Sequence, residues 1–122
     1  MGTFIIIYLI YIHWIADFIF QDEKWALNKS TSVIALLKHT ITYSLVLGVL
    51  ILPFLYWQTI PFVIINFIMH TLIDYFSSKV VSKRFRLHYL GGPIPNFGAF
   101  TVIGSDQVLH YICLFLSFEY LI

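Results

Sequence analysis

Charge is what this chain has least of. Aspartate, glutamate, lysine and arginine make up 11% of its 122 residues, against about 25% in an ordinary soluble domain. So few charges cannot cover a water-facing surface, which excludes a conventional soluble fold. The net charge of +1 and the absence of a basic run exclude nucleic acid as a partner. The single cysteine, Cys113, cannot form an internal disulfide and carries no information on redox compartment. The first residues lack a basic stretch, and no small-residue cleavage site precedes His13. The first apolar segment therefore reads as a retained membrane helix, not a removed signal. Glycine and proline are scarce, and they gather in one stretch from Gly91 to Gly98, the one place where regular structure must break.

Apolar residues fill the space that charge leaves. The chain is 60% hydrophobic and 19% aromatic, with a mean hydropathy of +0.88. The expected fold is an all-α, four-helix transmembrane bundle forming a single integral membrane domain over residues 1–122, with spans at about 3–20, 33–56, 60–81 and 99–121. Thr31 or Ser32 is placed to cap the second span, and Pro53 loosens its last turn. Pro61 is tolerated in the first turn of the third. Lys24, Lys29, Lys83, Arg84 and Arg86 fall in the two longer connections, with Lys38 and Lys79 at the helix ends facing them. The positive-inside rule then puts both connections in the cytoplasm and both termini on the non-cytoplasmic side. The location expected is a bacterial inner (cytoplasmic) membrane, crossed several times, with membrane lipid as the surrounding partner.

Three polar pairs interrupt the apolar segments: His13 with Asp17, His70 with Asp74, and Asp106 with His110. Each pair is separated by four positions, so on a helix both members share one face, a turn apart. Counting about 1.5 Å per residue from the helix ends brings all three pairs, and His39, into the cytoplasmic half of the bilayer. Helices that alternate in direction yet place their polar residues at one depth are building one site.

Aspartates inside a membrane must be protonated, paired or coordinated, since a charge at the bilayer centre costs at least about 2.5–3.5 kcal/mol. Imidazole and carboxylate together suit Zn, Mn or Fe, and four-helix bundles build metal sites by projecting such groups inward. The candidate ligands are His13, Asp17, His39, His70, Asp74, Asp106 and His110. Seven donors exceed the needs of one tetrahedral ion, so one or two divalent ions are expected. Two ions would share a water and activate it for attack. Asn66 and Ser78 continue the His70 face and would orient the ligands. Asp17 and Asp74 are the expected catalytic carboxylates, and Lys24 or Lys79 is expected to hold an anionic group of the substrate.

The function this supports is metal-dependent hydrolysis, with a small anionic or lipid-linked phosphoester as substrate. Three rivals use the same residues. A metal or proton transporter subunit would use them as a relay and would need a homo-oligomer. A non-enzymatic membrane effector would keep them as buried structural pairs. Haem held by two histidines is the third, and visible absorption distinguishes it. Trp14, Trp25 and Trp57 read as packing and interfacial anchors, and Cys113 reads as packing.

The pattern His13-Trp14-x-x-Asp17-Phe18-x-x-Gln21-x-x-Lys24, then His39, then His70-x-x-x-Asp74, then Asp106-Gln107-x-x-His110 resembles a family of small bacterial and phage-borne membrane proteins known only as a domain of unknown function. The resemblance spans essentially the whole chain. It extends more distantly to inner-membrane proteins described as membrane-bound metal-dependent hydrolases, which share intramembrane His and Asp motifs. The resemblance implies a metal-dependent hydrolase and names no substrate. The Gly91–Gly98 loop has no counterpart in that pattern.

Overall fold

The computed structural model describes residues 1–122 and is all-helical, with no strand. Helix α1 (Thr3–Trp14) runs directly into a π-helical turn over Ile15–Ile19. A short α2 (Glu23–Asn28) lies in the first polar connection, followed by α3 (Val33–Leu55), a 3-10 turn (Tyr56–Gln58), α4 (Thr59–Arg86) and α5 (Ala99–Leu121).

The helix boundaries have local causes. Asp22 caps α2 by accepting from the Lys24 backbone N–H at 2.8 Å, and Ser32 caps α3 by accepting from Ala35 N–H at 3.2 Å. Pro53 lies inside the last turn of α3, and the chain reverses at Tyr56, whose φ is 48°. Two boundaries depart from the sequence expectation. The polar connection contains α2, where only a loop is expected. The third long helix continues past Val81 to Arg86. Apolar character ends at Val81, but lysine and arginine are good helix formers, and Lys83, Arg84 and Arg86 suit the negative end of the helix dipole.

The remaining loop, 87–98, closes back on α5. Ala99 and Phe100 N–H groups donate to the Tyr89 and Leu90 carbonyls at 2.9 and 3.2 Å, which satisfies donors that a helix start leaves free. A side chain at Gly98 would collide with the Leu90 carbonyl, so this closure requires glycine.

Successive long helices run antiparallel and close a ring in which α1 meets α3 and α5, and α4 meets the same two. Tyr8 Oη donates to the Leu50 carbonyl at 2.6 Å across α1 and α3. Asn66 Nδ2 donates to Ser117 Oγ at 2.9 Å across α4 and α5. Gly48 lets α3 approach α4, because a Cβ there would sit 3.0 Å from the Val63 methyl.

The ring interior has two halves. Leu9, Ile12, Leu47, Ile51, Leu55, Phe62, Leu114 and Phe118 fill one, none more than 4% exposed. His13, Asp17, His39, His70, Asp74 and His110 fill the other, again none above 4%. Twelve of the 26 buried residues have polar side chains. The outside is the reverse: Phe4, Val49, Ile60, Phe76, Phe100 and Leu116 are 61% to 72% exposed. The α3–α4 hairpin (Val33–Arg86) and α5 are long and apolar enough to cross a membrane, and Thr3–Ile19 is apolar but shorter.

Candidate metal centre

The polar half sits where α1 ends, α3 begins, α4 passes its midpoint and α5 begins. Each long helix contributes. The π turn carries Asp17, and π turns are rare distortions found mostly at functional sites. From α3 come His39 and, one turn on, Tyr43. From α4 come His70 and Asp74, and from α5 come Asp106 and His110.

Four side chains converge on one point. His39 Nε2 lies 3.0 Å from Asp17 Oδ1 and 3.2 Å from Asp74 Oδ2. His70 Nε2 lies 3.4 Å from Asp17 Oδ1 and 3.3 Å from Asp74 Oδ2. The two Nε2 atoms are 3.3 Å apart. These five distances are the edges of a polyhedron. A tetrahedral ion with bonds of about 2.0–2.1 Å to nitrogen and oxygen has ligand-to-ligand edges of about 3.3–3.4 Å. Neutral imidazoles cannot satisfy this arrangement by hydrogen bonding, because a neutral Nε2 has either one proton or one lone pair, yet each of these has three partners; imidazolium–carboxylate pairing or a central ion could. An ion at the centre would use all four donors at once. The Nδ1 atoms of His39 and His70 have no partner, so the ring nitrogens that do meet polar groups are those facing the shared centre.

Asp74 has a second role. Its Oδ1 lies 3.0 Å from His110 Nε2, and His110 Nε2 lies 3.2 Å from Asp106 Oδ2. Asp74, Asp106 and His110 thus form a second donor group that could hold a metal ion. One carboxylate therefore gives one oxygen to each set. The first set has four protein donors, none more than 4% exposed. The second has three, and Asp17 of the first set and Asp106 of the second both line a cavity that opens beside them. Closed four-donor sets are typical of structural ions, and three-donor sets leave a position for water or substrate.

His13 is drawn into other bonds. Its Nδ1 lies 3.0 Å from Tyr43 Oη and its Nε2 lies 2.9 Å from Gln107 Oε1. Donating through Nε2 and accepting at Nδ1 would satisfy both nitrogens without an ion. Its Nε2 is 3.4 Å from Asp17 Oδ2, so it borders the first set and belongs to neither group of converging donors. Tyr43 stacks on His70 at 3.8 Å between ring centroids, and His70 stacks on His110 at 4.0 Å. This three-ring column fixes the orientation of two donors. Gln107 Nε2 and Ser77 Oγ both donate to Asp106.

The two lysines expected near the substrate are elsewhere. Lys24 is exposed on α2, and Lys79 donates to the Ser30 carbonyl at 2.9 Å on the outside of the bundle. Neither lines the cavity. Lys29 does, and its Nζ lies 3.3 Å from Asp74 Oδ2. Asp17 and Asp106 line the same cavity. Asn66 also lies away from the donors, bonded to Ser117. Tyr43 and Ser77 follow from helical spacing, at four positions past His39 and three past Asp74.

The fold and the centre define a helical bundle with a buried His/Asp cluster that could hold a metal ion. The chain belongs to the family described as Protein of unknown function (DUF3307), which matches residues 5–122. No curated protein and no solved structure matches it.

Proposed function

We propose that this is a multi-pass membrane protein that hydrolyses a phosphoester or lipid-linked substrate with one or two divalent ions held by Asp17, His39, His70, Asp74, Asp106 and His110. The observation that carries the reading is the set of 3.0–3.4 Å separations among Asp17, His39, His70 and Asp74. The apolar exterior supports a bilayer setting, since lipid replaces water as the solvent for those faces. The 12-residue α1 with its five-residue π turn reaches the low end of the 17–25 residues that span a membrane. Every lysine and arginine lies toward the polar half, which supports a cytoplasmic opening and outward termini.

A divalent ion here, when bound, would supply a Lewis acid and lower the pKa of a water in its open position. The chain's own groups set the stage for it. Asp74 joins the two donor sets, the Tyr43–His70–His110 column holds the rings, and Ser77 and Gln107 hold Asp106. Lys29 lies where it can meet an anionic group of the substrate. A relay across the membrane is disfavoured by the Leu47, Ile51, Phe62, Leu114 and Phe118 plug, where the buried polar side chains Thr59, Asn66 and Ser117 include no acid or imidazole to pass a proton onward.

The test is elemental analysis of detergent-purified protein, followed by phosphate release from a phosphoester panel before and after chelation. Stoichiometric Zn, Mn or Fe and chelator-sensitive release are expected. Protein that stays metal-free after growth and purification with added metal sinks the reading.

A further inference from the structure

Two cavities meet at one hydrogen bond. The first, about 450 Å³, opens at the end of the bundle above the donor sets, within the range of small-molecule sites at about 300–1,000 Å³. The second, about 370 Å³, is an apolar groove on the flank between α4 and α5, walled by residues such as Leu72, Phe76, Val102 and Leu109. Ser77 and Asp106 line both, and they are bonded to each other. One side of that pair is polar, and the other faces outward among exposed apolar side chains.

The polar cavity is equipped for an anion. Lys29 and Arg86 are its cations. Ser78 and Ser82 continue the α4 face that carries Asp74, at four and eight positions on. Ser78 is 7% exposed, and its Oγ has no partner in the protein. A buried hydroxyl left unpaired costs about 1–3 kcal/mol, so a ligand oxygen there is the natural complement. Two cations and several hydroxyls exceed what the two oxygens of a carboxylate use, and they suit the three acceptor oxygens of a phosphate monoester. Arg86 adds the planar fork that recognises such oxygens. Asp17 and Asp106 also line this cavity and would repel an anion unless neutralised by metal.

We infer that the ligand is a membrane lipid with a phosphomonoester headgroup, which enters sideways between α4 and α5. Its chain lies in the flank groove, and its phosphate passes the Ser77–Asp106 pair to reach Lys29, Arg86 and Ser78. The inference rests on the metal reading, because bound cations make the aspartate-lined cavity receptive to phosphate. A lipid source is favoured over free phosphate because the apolar groove adjoins the polar cavity across that pair.

The experiment is native mass spectrometry of metal-loaded protein with three probes: a short-chain phosphatidic acid, phosphatidylcholine of the same chains, and inorganic phosphate. Selective binding of phosphatidic acid is expected. Arg86→Gln should weaken it about tenfold or more, the loss of a hydrogen bond from a charged group. Leu109→Trp, which fills the groove, should weaken the lipid and leave inorganic phosphate unchanged; Val102→Phe serves if that variant inserts poorly. Equal binding of phosphatidylcholine overturns the headgroup assignment. Wild-type lipid affinity in both groove variants overturns sideways entry. Metal content is read from the same samples: metal-loaded protein that ignores phosphatidic acid overturns this inference alone, and metal-free protein that binds it selectively overturns the metal reading, and with it the role given to bound cations, while the lipid assignment stands.

Discussion

The two halves of the bundle interior are built from the same four helices and hold together by opposite means. In the apolar half, Leu9, Leu47, Ile51, Leu114 and Phe118 have no exposed surface, and they interact through shape and dispersion alone. Any residue of similar volume serves there almost as well. In the polar half nothing is interchangeable, because each donor meets two or three others at fixed distances. One half supplies cohesion. The other holds three carboxylates that Lys29 and the imidazoles of His39, His70 and His110 meet at 3.0–3.4 Å, a set of donors that could hold a metal ion.

Three substitutions separate the halves. The largest effect is expected from Asp74→Asn, which removes an oxygen donor from both sets. Metal affinity should fall by more than about 100-fold, beyond the 10–100-fold typical of groups that only orient ligands, and phosphate release should fall with it. The metal-free variant should unfold somewhat earlier than metal-free wild type, because Lys29 and three imidazoles lose a carboxylate partner. Full metal stoichiometry in the variant would show that Asp74 is not a ligand and erase the distinction. Next comes Phe118→Ala, which opens a cavity in the apolar half at a cost of about 3 kcal/mol. A lower thermal midpoint with unchanged metal stoichiometry in the cold is the expected pair of readouts; metal loss in the folded variant would mean that the halves are not separable. The smallest is Tyr43→Phe. It keeps the ring stacked on His70 and deletes only the hydroxyl beside His13. Little change in metal affinity is expected, because the hydroxyl bonds His13, which lies outside both donor groups, and the thermal midpoint should fall slightly as His13 Nδ1 loses its partner.

Much of this was readable before any coordinates. Pairs at four-residue spacing must share a helix face, and equal depth in four alternating helices forces them together. The bundle indeed brings His39, His70, Asp17 and Asp74 to one point and His110 and Asp106 beside them. Depth and spacing, however, say nothing about competition. His13 has the same spacing to Asp17 that His70 has to Asp74, yet its nitrogens are occupied by Tyr43 and Gln107, groups whose reach depends on how the helices are rotated. The position of Lys29 was hidden for a different reason. It lies in a stretch without periodicity, where a face cannot be assigned, and Lys24 looked better placed because it continues the Asp17 face in phase. The π turn at Ile15–Ile19 and the short α2 change that phase. Continuation of α4 to Arg86 was also unreadable from hydropathy, which reports where the lipid-compatible surface ends and not where the backbone stops coiling. That extra turn is what brings Arg86 to the cavity.

The shared carboxylate of Asp74 has one further consequence. Two ions that divide a single side chain cannot bind independently: the first to arrive fixes the rotamer and spends part of the negative charge that the second will use. By linkage, the factor by which the closed set alters affinity at the open set is the same factor in the other direction. The buried ion would therefore act as a thermodynamic set-point for the exchangeable one, tuning it without touching the substrate.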